Sequence, residues 1–196
     1  MSSVLPGGTV TFVFTDIEGS TELLKRLGDG YAAVAAEHRR VVREAFGARG
    51  GQEVDTQGDA FFFCFARAQD AVAAAVAAQR ALAATAWPDG VDVLVRMSLH
   101  TGEAVVGEEG YVGIDVVRAA RICAAGHGGQ VLLSATTAAI VAGRLPDGVS
   151  ELELGEVRLK DLDAAERVYQ LEIDGLARSF PPLRTHGEEP LDFDAR

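Results

Sequence analysis

Residues 9–15, TVTFVFT, alternate β-branched and aromatic side chains with a period of two, which predicts a strand. The polar stretch DIEGS interrupts that alternation, and Ser20 stands where an N-cap would open a short helix through Leu27. After the Gly28-Asp29-Gly30 turn, residues 31–49 set Val34, Val41, Val42, Ala45 and Phe46 at helical spacing. Gly50-Gly51 closes that helix. Residues 53–56 and 60–65 read as two short strands joined by Gln57-Gly58-Asp59 as a hairpin turn.

Residues 68–84 are Ala-rich with Val72, Val76 and Leu82, a helix with a thin apolar face. Residues 91–100 predict a long strand and residues 103–106 its hairpin return. Residues 114–125 predict a helix, 130–134 a strand, 135–142 a helix, and 153–159 and 167–173 two closing strands. From Gly175 the chain turns Pro-rich and acidic, which predicts a linker or tail over residues 175–196 and a folded domain over 1–174. No internal repeat interrupts the order β-α-α-β-β-α-β. That order predicts an α+β sheet with helices packed on one face.

Composition narrows the functional classes. The chain has 196 residues, 48% of them hydrophobic and 24% charged, which suits one globular domain with a substantial core. A net charge of −11 argues against nonspecific binding of nucleic acid or anionic membrane, because phosphate binding needs Lys and Arg. The sequence has neither a run long enough to span a membrane nor a signal-peptide pattern. Cys64 in a predicted strand and Cys123 in a predicted helix make no disulfide or metal framework. A cytoplasmic protein is expected.

Two carboxylates carry the candidate chemistry. Asp16 ends the first strand and Asp59 sits at a hairpin tip. If those strands are neighbours, the carboxylates converge at one sheet edge. At about 4 Å they would repel by roughly 4 kcal/mol at an effective dielectric near 20, so they would share a proton or bind a cation. Oxygen ligands suit Mg²⁺ or Mn²⁺. Ile17 to Thr21 would then lie at a helix N-terminus, which favours phosphate. The alternative is that Asp16 caps a helix and Asp59 serves a turn.

Four stretches in order, VTFVFTDIEGST, DTQGDAFFFCF, RMSLHTGEAVVGEEGYVGIDVVRAARICAAGHGGQVLLS and LGEVRLKDLDAAERVYQL, resemble the catalytic domain of class III adenylate and guanylate cyclases. The resemblance spans residues 10–171. It implies a ferredoxin-like βααββαβ core on a mainly antiparallel sheet, and a head-to-tail homodimer with two composite sites. It also implies two Mg²⁺ or Mn²⁺ ions per site and cyclisation of a nucleoside triphosphate to a 3′,5′-cyclic nucleotide with release of pyrophosphate. Asp16 and Asp59 match the metal-binding aspartates, Ile17 a carbonyl ligand, and Gly19, Ser20 and Thr21 the phosphate cradle. Arg121 matches the phosphate-stabilising arginine of the catalytic set. Arg118 lies one helical turn before it, and Lys160 falls where the family often has a phosphate-contacting lysine.

The base and ribose positions depart from the family. Asp55 stands where adenylate cyclases place a base-reading Lys, Gly110 where they place an Asp, and Val117 where they place a ribose-orienting Asn. Valine cannot donate a hydrogen bond, and one missing donor typically costs about 10² to 10³ in turnover. An ionised Asp only accepts, so Asp55 would read an amino group or an N–H of the base. Slow or unconventional cyclisation is therefore expected. The alternative is an inert homologue that binds nucleotide or a partner.

Other features read as structural. His38 falls on the apolar side of its helix, His100 in a hydrogen-bonded turn, and His127 among the turn glycines Gly126, Gly128 and Gly129. HRRVVR reads as a solvated helical face, and the Phe61–Phe65 run as core or dimer interface. Asp115 suits either a helix start or the site. SFPPLRT resembles the linker that follows such domains in longer proteins carrying an ATPase module.

Overall fold

The fold is that of a computed structural model describing residues 5–107 and 110–185. The sequence-derived domain limits therefore include residues 1–4, 108, 109 and 186–196, which lie outside the described residues. In chain order the elements are β1 Gly8–Ile17, α1 Ser20–Leu27, α2 Tyr31–Gly47, β2 Gln52–Gln57, β3 Ala60–Phe65 and α3 Ala68–Ala84. There follow β4 Val95–Gly107, β5 Gly110–Val112, α4 Ile114–Ala125, β6 Val131–Ser134, α5 Ala135–Val141, β7 Val149–Val157 and β8 Glu166–Ile173.

The strands form one sheet in the order β2-β3-β1-β4-β6-β8-β7, with β5 paired to the far end of β4. The β4–β6 pair is parallel. The β1–β3, β1–β4, β2–β3, β6–β8 and β7–β8 pairs are antiparallel. β1 is central, buried from Val10 to Ile17 and hydrogen-bonded on both edges.

Helices cover both faces of the sheet, not one. Side chains alternate along a strand, so Val13 and Ile17 of β1 join α2 and α3 in one cluster. Val10, Phe12 and Phe14 join Ala119 and Cys123 of α4 in another. The reason is visible in β3, whose six residues are all buried. A strand apolar on both faces needs cover on both.

Two local expectations change as well. Ser20 is the first residue of α1, and the cap position belongs to Gly19 at φ 68° with no side-chain cap. β4 runs straight through Thr101-Gly102 to Gly107, and its return is β5. Gly102 is there for close approach: a Cβ on it would lie 2.2 Å from Asp115 Oδ2. Residues 91–94 are not strand, although Val91 and Val93 are buried.

Candidate active site

β1 delivers Asp16 and the β2–β3 turn delivers Asp59 to the same end of the sheet. Asp59 Oδ2 accepts the Ile17 backbone N–H at 3.2 Å, and Arg39 Nη2 donates to Gly58 O at 2.8 Å, bracing the turn. In the β1–β4 register Asp16 stands opposite Arg96. Arg96 Nε and Nη2 both donate to Asp16 Oδ2, at 2.9 and 2.6 Å. Burial pushes the Asp16 carboxyl up to about 6; Arg96 opposes the rise and the neighbouring Asp59 adds to it. The two carboxylates thus meet as expected. The arginine that neutralises Asp16 was not foreseen from the sequence.

Gly19 to Thr21 form the entry to α1 immediately after this strand end, with Gly19 accepting from Glu22 N and Leu23 N. Ser20 hydrogen-bonds Tyr31. Glu18 turns the other way: its Oε2 accepts from Gly128 N at 3.1 Å, and its Oε1 pairs with Arg184 Nη2. Burial works to raise the Glu18 pKa, but Arg184, the Gly128 amide and His127 together bring it below the usual carboxylate value. Two arginines then tie this region to the end of α4. Arg96 Nη1 donates to Ala124 O at 3.2 Å, and Arg184 donates from its backbone to Ala125 O and from Nη1 to Gly126 O. Cations are favoured at a helix C-terminus.

Gly113, at φ 121°, caps the start of α4, which carries Asp115, Val117, Arg118 and Arg121. Asp115 fastens its first turn: Oδ1 meets His100 Nε2 at 3.2 Å and Arg118 Nη1, while Oδ2 accepts Glu103 N at 3.0 Å. Arg118 Nε also donates to Glu166 at 2.6 Å. Arg121 Nη2 donates to Asp161 Oδ2 at 2.5 Å. Within one chain, both arginines are thus engaged by Asp115, Glu166 and Asp161 and not by Asp16 or Asp59. Val117 is half-buried on α4 and Lys160 is exposed in the β7–β8 turn. Asp55 is exposed on the edge strand β2, where its carboxylate accepts from Thr56 N. A Cβ on Gly110 would sit 3.4 Å from Val54 Cγ1, so the two base positions lie beside one strand.

A family model for the adenylate and guanylate cyclase catalytic domain matches residues 4–172. The chain belongs to that family. An uncharacterised protein of Mycobacterium tuberculosis is 39% identical over 195 residues, covering 98% of this chain and 66% of the relative. The adenylate cyclase of Neurospora crassa is 28% identical over 95% of this chain and 9% of that enzyme. The chain therefore spans less than two thirds of either relative. An adenylate cyclase structure from Trypanosoma brucei, in a monomeric state, superposes with a TM-score of 0.86 at 25% identity, covering 94% of this chain and 96% of that one. The guanylate cyclase domain from Catenaria anguillulae in complex with GTP gives 0.76 at 20% identity, over 85% and 97%, a likeness of fold.

In this cyclase domain the features set aside as structural are placed as follows. His38 is fully buried, with both ring nitrogens unpartnered among the described residues and Phe61 5.7 Å away. His100 is buried within β4, not in a turn, and its Nδ1 meets Ser134 Oγ at 2.8 Å. Of the HRRVVR face, Arg40 pairs with Glu37 and Glu44, and Arg43 with Glu53. Phe61 to Phe65 are core. Cys64 and Cys123 are buried free thiols. Among the described residues, no group of three or more His, Cys, Asp or Glu side chains is arranged to hold a metal, and no helix is long and apolar enough to cross a membrane.

The Pro-rich segment, expected as a linker or tail, is largely exposed but touches the domain at several points up to Arg184. Leu183 joins the cluster of Ile122, Leu132 and Val168. Arg178 O accepts from Gln170 Nε2 at 2.7 Å and Pro182 O meets His127 Nε2 at 3.0 Å. With Arg184 on Glu18, the segment straps the α4–β6 junction to the Asp16 end of β1. Its composition concealed this, because the bonds use backbone carbonyls and one arginine.

Proposed function

We propose that this cyclase domain is a metal-dependent nucleotidyl cyclase, converting a nucleoside triphosphate to a 3′,5′-cyclic nucleotide and pyrophosphate in a homodimer with composite sites. The observation that carries the reading is the convergence of Asp16, Asp59 and the Ile17 backbone directly before α1. The donor set fits a hard cation: two carboxylates and a carbonyl, all oxygen, in surroundings that hold the Asp16 carboxyl near 6. Arg96 already places positive charge against Asp16. Asp16, Asp59 and the Ile17 carbonyl would hold two Mg²⁺ or Mn²⁺ ions, which when bound would acidify the ribose 3′-hydroxyl and neutralise phosphate charge.

The chain's own groups do the rest. Gly19, Ser20 and Thr21 receive the triphosphate at the α1 entry. The ribose 3′-hydroxyl gives its proton to water, its oxygen forms a bond to the α-phosphorus, and the bond from that phosphorus to the oxygen bridging to the β-phosphorus breaks. Pyrophosphate departs with the electron pair. Arg121, with Arg118 and Lys160, stabilises the negative charge of that displacement. The resemblance puts these three in the partner's site, and within one chain Asp115, Glu166 and Asp161, not Asp16 or Asp59, engage the two arginines. An exposed apolar patch supports the dimer: Val105, Val112 and Ile114 are 57%, 43% and 55% exposed, and Val105 faces Val112 across the β4–β5 pair. The patch is continuous with the start of α4, so an interface there brings α4 to the second copy. We read residues 1–174 as the cyclase domain and 175–196 as its C-terminal tail.

Val117, Asp55 and Gly110 favour a second reading, an inert homologue that retains nucleotide binding. One experiment separates the two. The protein is incubated with ATP, GTP, CTP or UTP and Mg²⁺ or Mn²⁺, beside an Asp59→Ala control, and products are identified by mass. A cyclic product absent from the control supports the cyclase and names its base. Triphosphate binding with no cyclic product from any of the four supports the inert homologue.

A further inference from the structure

We propose that Asp161 is a positioning residue that latches Arg121 onto the β7–β8 turn until an anionic ligand competes for it. The inference rests on the reading of Arg121 as a phosphate-facing group. Three observations converge on the pair.

First, the contact is made from a left-handed backbone position, which aspartate adopts only at some cost. Asp161 lies at φ 61°, and it and Asp89 are the two non-glycine residues at positive φ among the described residues. Glycine would occupy that position without strain. What aspartate brings to it is a carboxylate on Arg121 Nη2, at 2.5 Å. Strain retained at one contact points to a role for that contact.

Second, the pair leaves the arginine half-satisfied. Arg121 Nε is buried with no hydrogen-bond partner among the described residues. Guanidinium presents Nε and Nη2 as parallel donors, and a phosphate group accepts from both at once. A phosphate therefore offers Arg121 something that Asp161, bonded to Nη2 alone, does not supply.

Third, the latch can open. The Asp161 side chain is 51% exposed, so water receives its carboxylate on release. Lys160 precedes it in the same exposed turn. Opening presents two cations together, Arg121 and Lys160, where the closed pair offsets one of them. Asp161 is thus an internal stand-in for the anion, and ligand affinity is lowered by the fraction of molecules latched.

The test uses Asp161→Asn, which keeps a residue tolerant of positive φ, and Asp161→Gly, which also removes the strain. Each is made alone and with Arg121→Ala, and folding is checked by thermal unfolding. The probe is inorganic tripolyphosphate with Mn²⁺, titrated by calorimetry. Both single variants should bind it about two- to fivefold tighter, the range of a half-exposed ion pair, and Arg121→Ala should erase the gain. With a nucleoside triphosphate that turns over, KM should fall by the same factor while kcat holds. Unchanged or weaker affinity in the folded variants overturns the latch, as does a gain that persists without Arg121. No cyclic product together with the Arg121-dependent gain removes the cyclase reading and sustains the latch. If neither wild type nor variant binds tripolyphosphate, the latch fails.

Discussion

Arg96 grips Asp16 through two donors on one carboxylate oxygen, Nε at 2.9 Å and Nη2 at 2.6 Å, across the central β1–β4 pair. The two side chains are 12% and 11% exposed. In such a place an ion pair roughly balances its own desolvation, but losing one member leaves a buried charge. The same carboxylate is the candidate metal ligand, so Arg96 and a cation act on one group.

Arg96→Ala should therefore destabilise the metal-free protein by about 3 kcal/mol. Mn²⁺ should restore much of that loss by taking over neutralisation of Asp16. Urea unfolding with and without Mn²⁺ measures both effects. Equal destabilisation in the two conditions would show that no cation reaches Asp16.

Val117 stands half-buried on α4 where the family resemblance places a ribose-orienting Asn. Val117→Asn restores a donor and should raise cyclic-product formation by about 10²-fold. Initial rates with the preferred triphosphate decide it, and an unchanged rate removes Val117 from the ribose contact.

His38 makes stability fall with acid. Burial pushes its imidazole down from 6.5 to about 4, with Arg39 adding to the shift. The unfolded chain takes up the proton first, so this contribution is complete above pH 6.5 and is lost as pH falls toward 4. The loss amounts to about 3 kcal/mol at most. His38→Leu should flatten denaturation midpoints over that window, and a slope equal to wild type would place the acid lability elsewhere.

Gly102 and Asp115 are coupled by space. A methyl group on Gly102 would sit 2.2 Å from Asp115 Oδ2, so Gly102→Ala should cost about 1–3 kcal/mol. Combined with Asp115→Ala, the two losses should sum to less than their separate values. A double-mutant cycle in chemical denaturation reads this directly, with strict additivity as the contrary result.

Arg184 links the C-terminal strap to Glu18. Its removal by Arg184→Ala should cost about 1 kcal/mol, since both partners are partly exposed. It should also speed hydrogen exchange at the Gly128 amide, which Glu18 holds. Unaltered exchange there would show that Glu18 keeps its place without the strap.

Local pattern in the sequence determined most of the elements. Alternation over residues 9–15 made β1, the unbroken apolar run made β3, and the valines and Phe46 at helical spacing made α2. Asp16 and Asp59 were legible as candidates because one closes the first strand and the other sits in a hairpin turn, both marked by local pattern. What only the tertiary structure decided involves partners far apart in the chain. Asp16 meets Arg96 across 80 residues, and Glu18 meets Arg184 across 166. No local period encodes which strand pairs with which, or in what register. Gly102 looked like a turn because a glycine's local freedom is visible in sequence, whereas the carboxylate packed against it is not. Helices cover both faces for a related reason: a continuous apolar strand announces two buried faces, but which helix covers each follows from the crossover of the chain. Periodicity reports what a residue needs from its surroundings, and the fold chooses who supplies it.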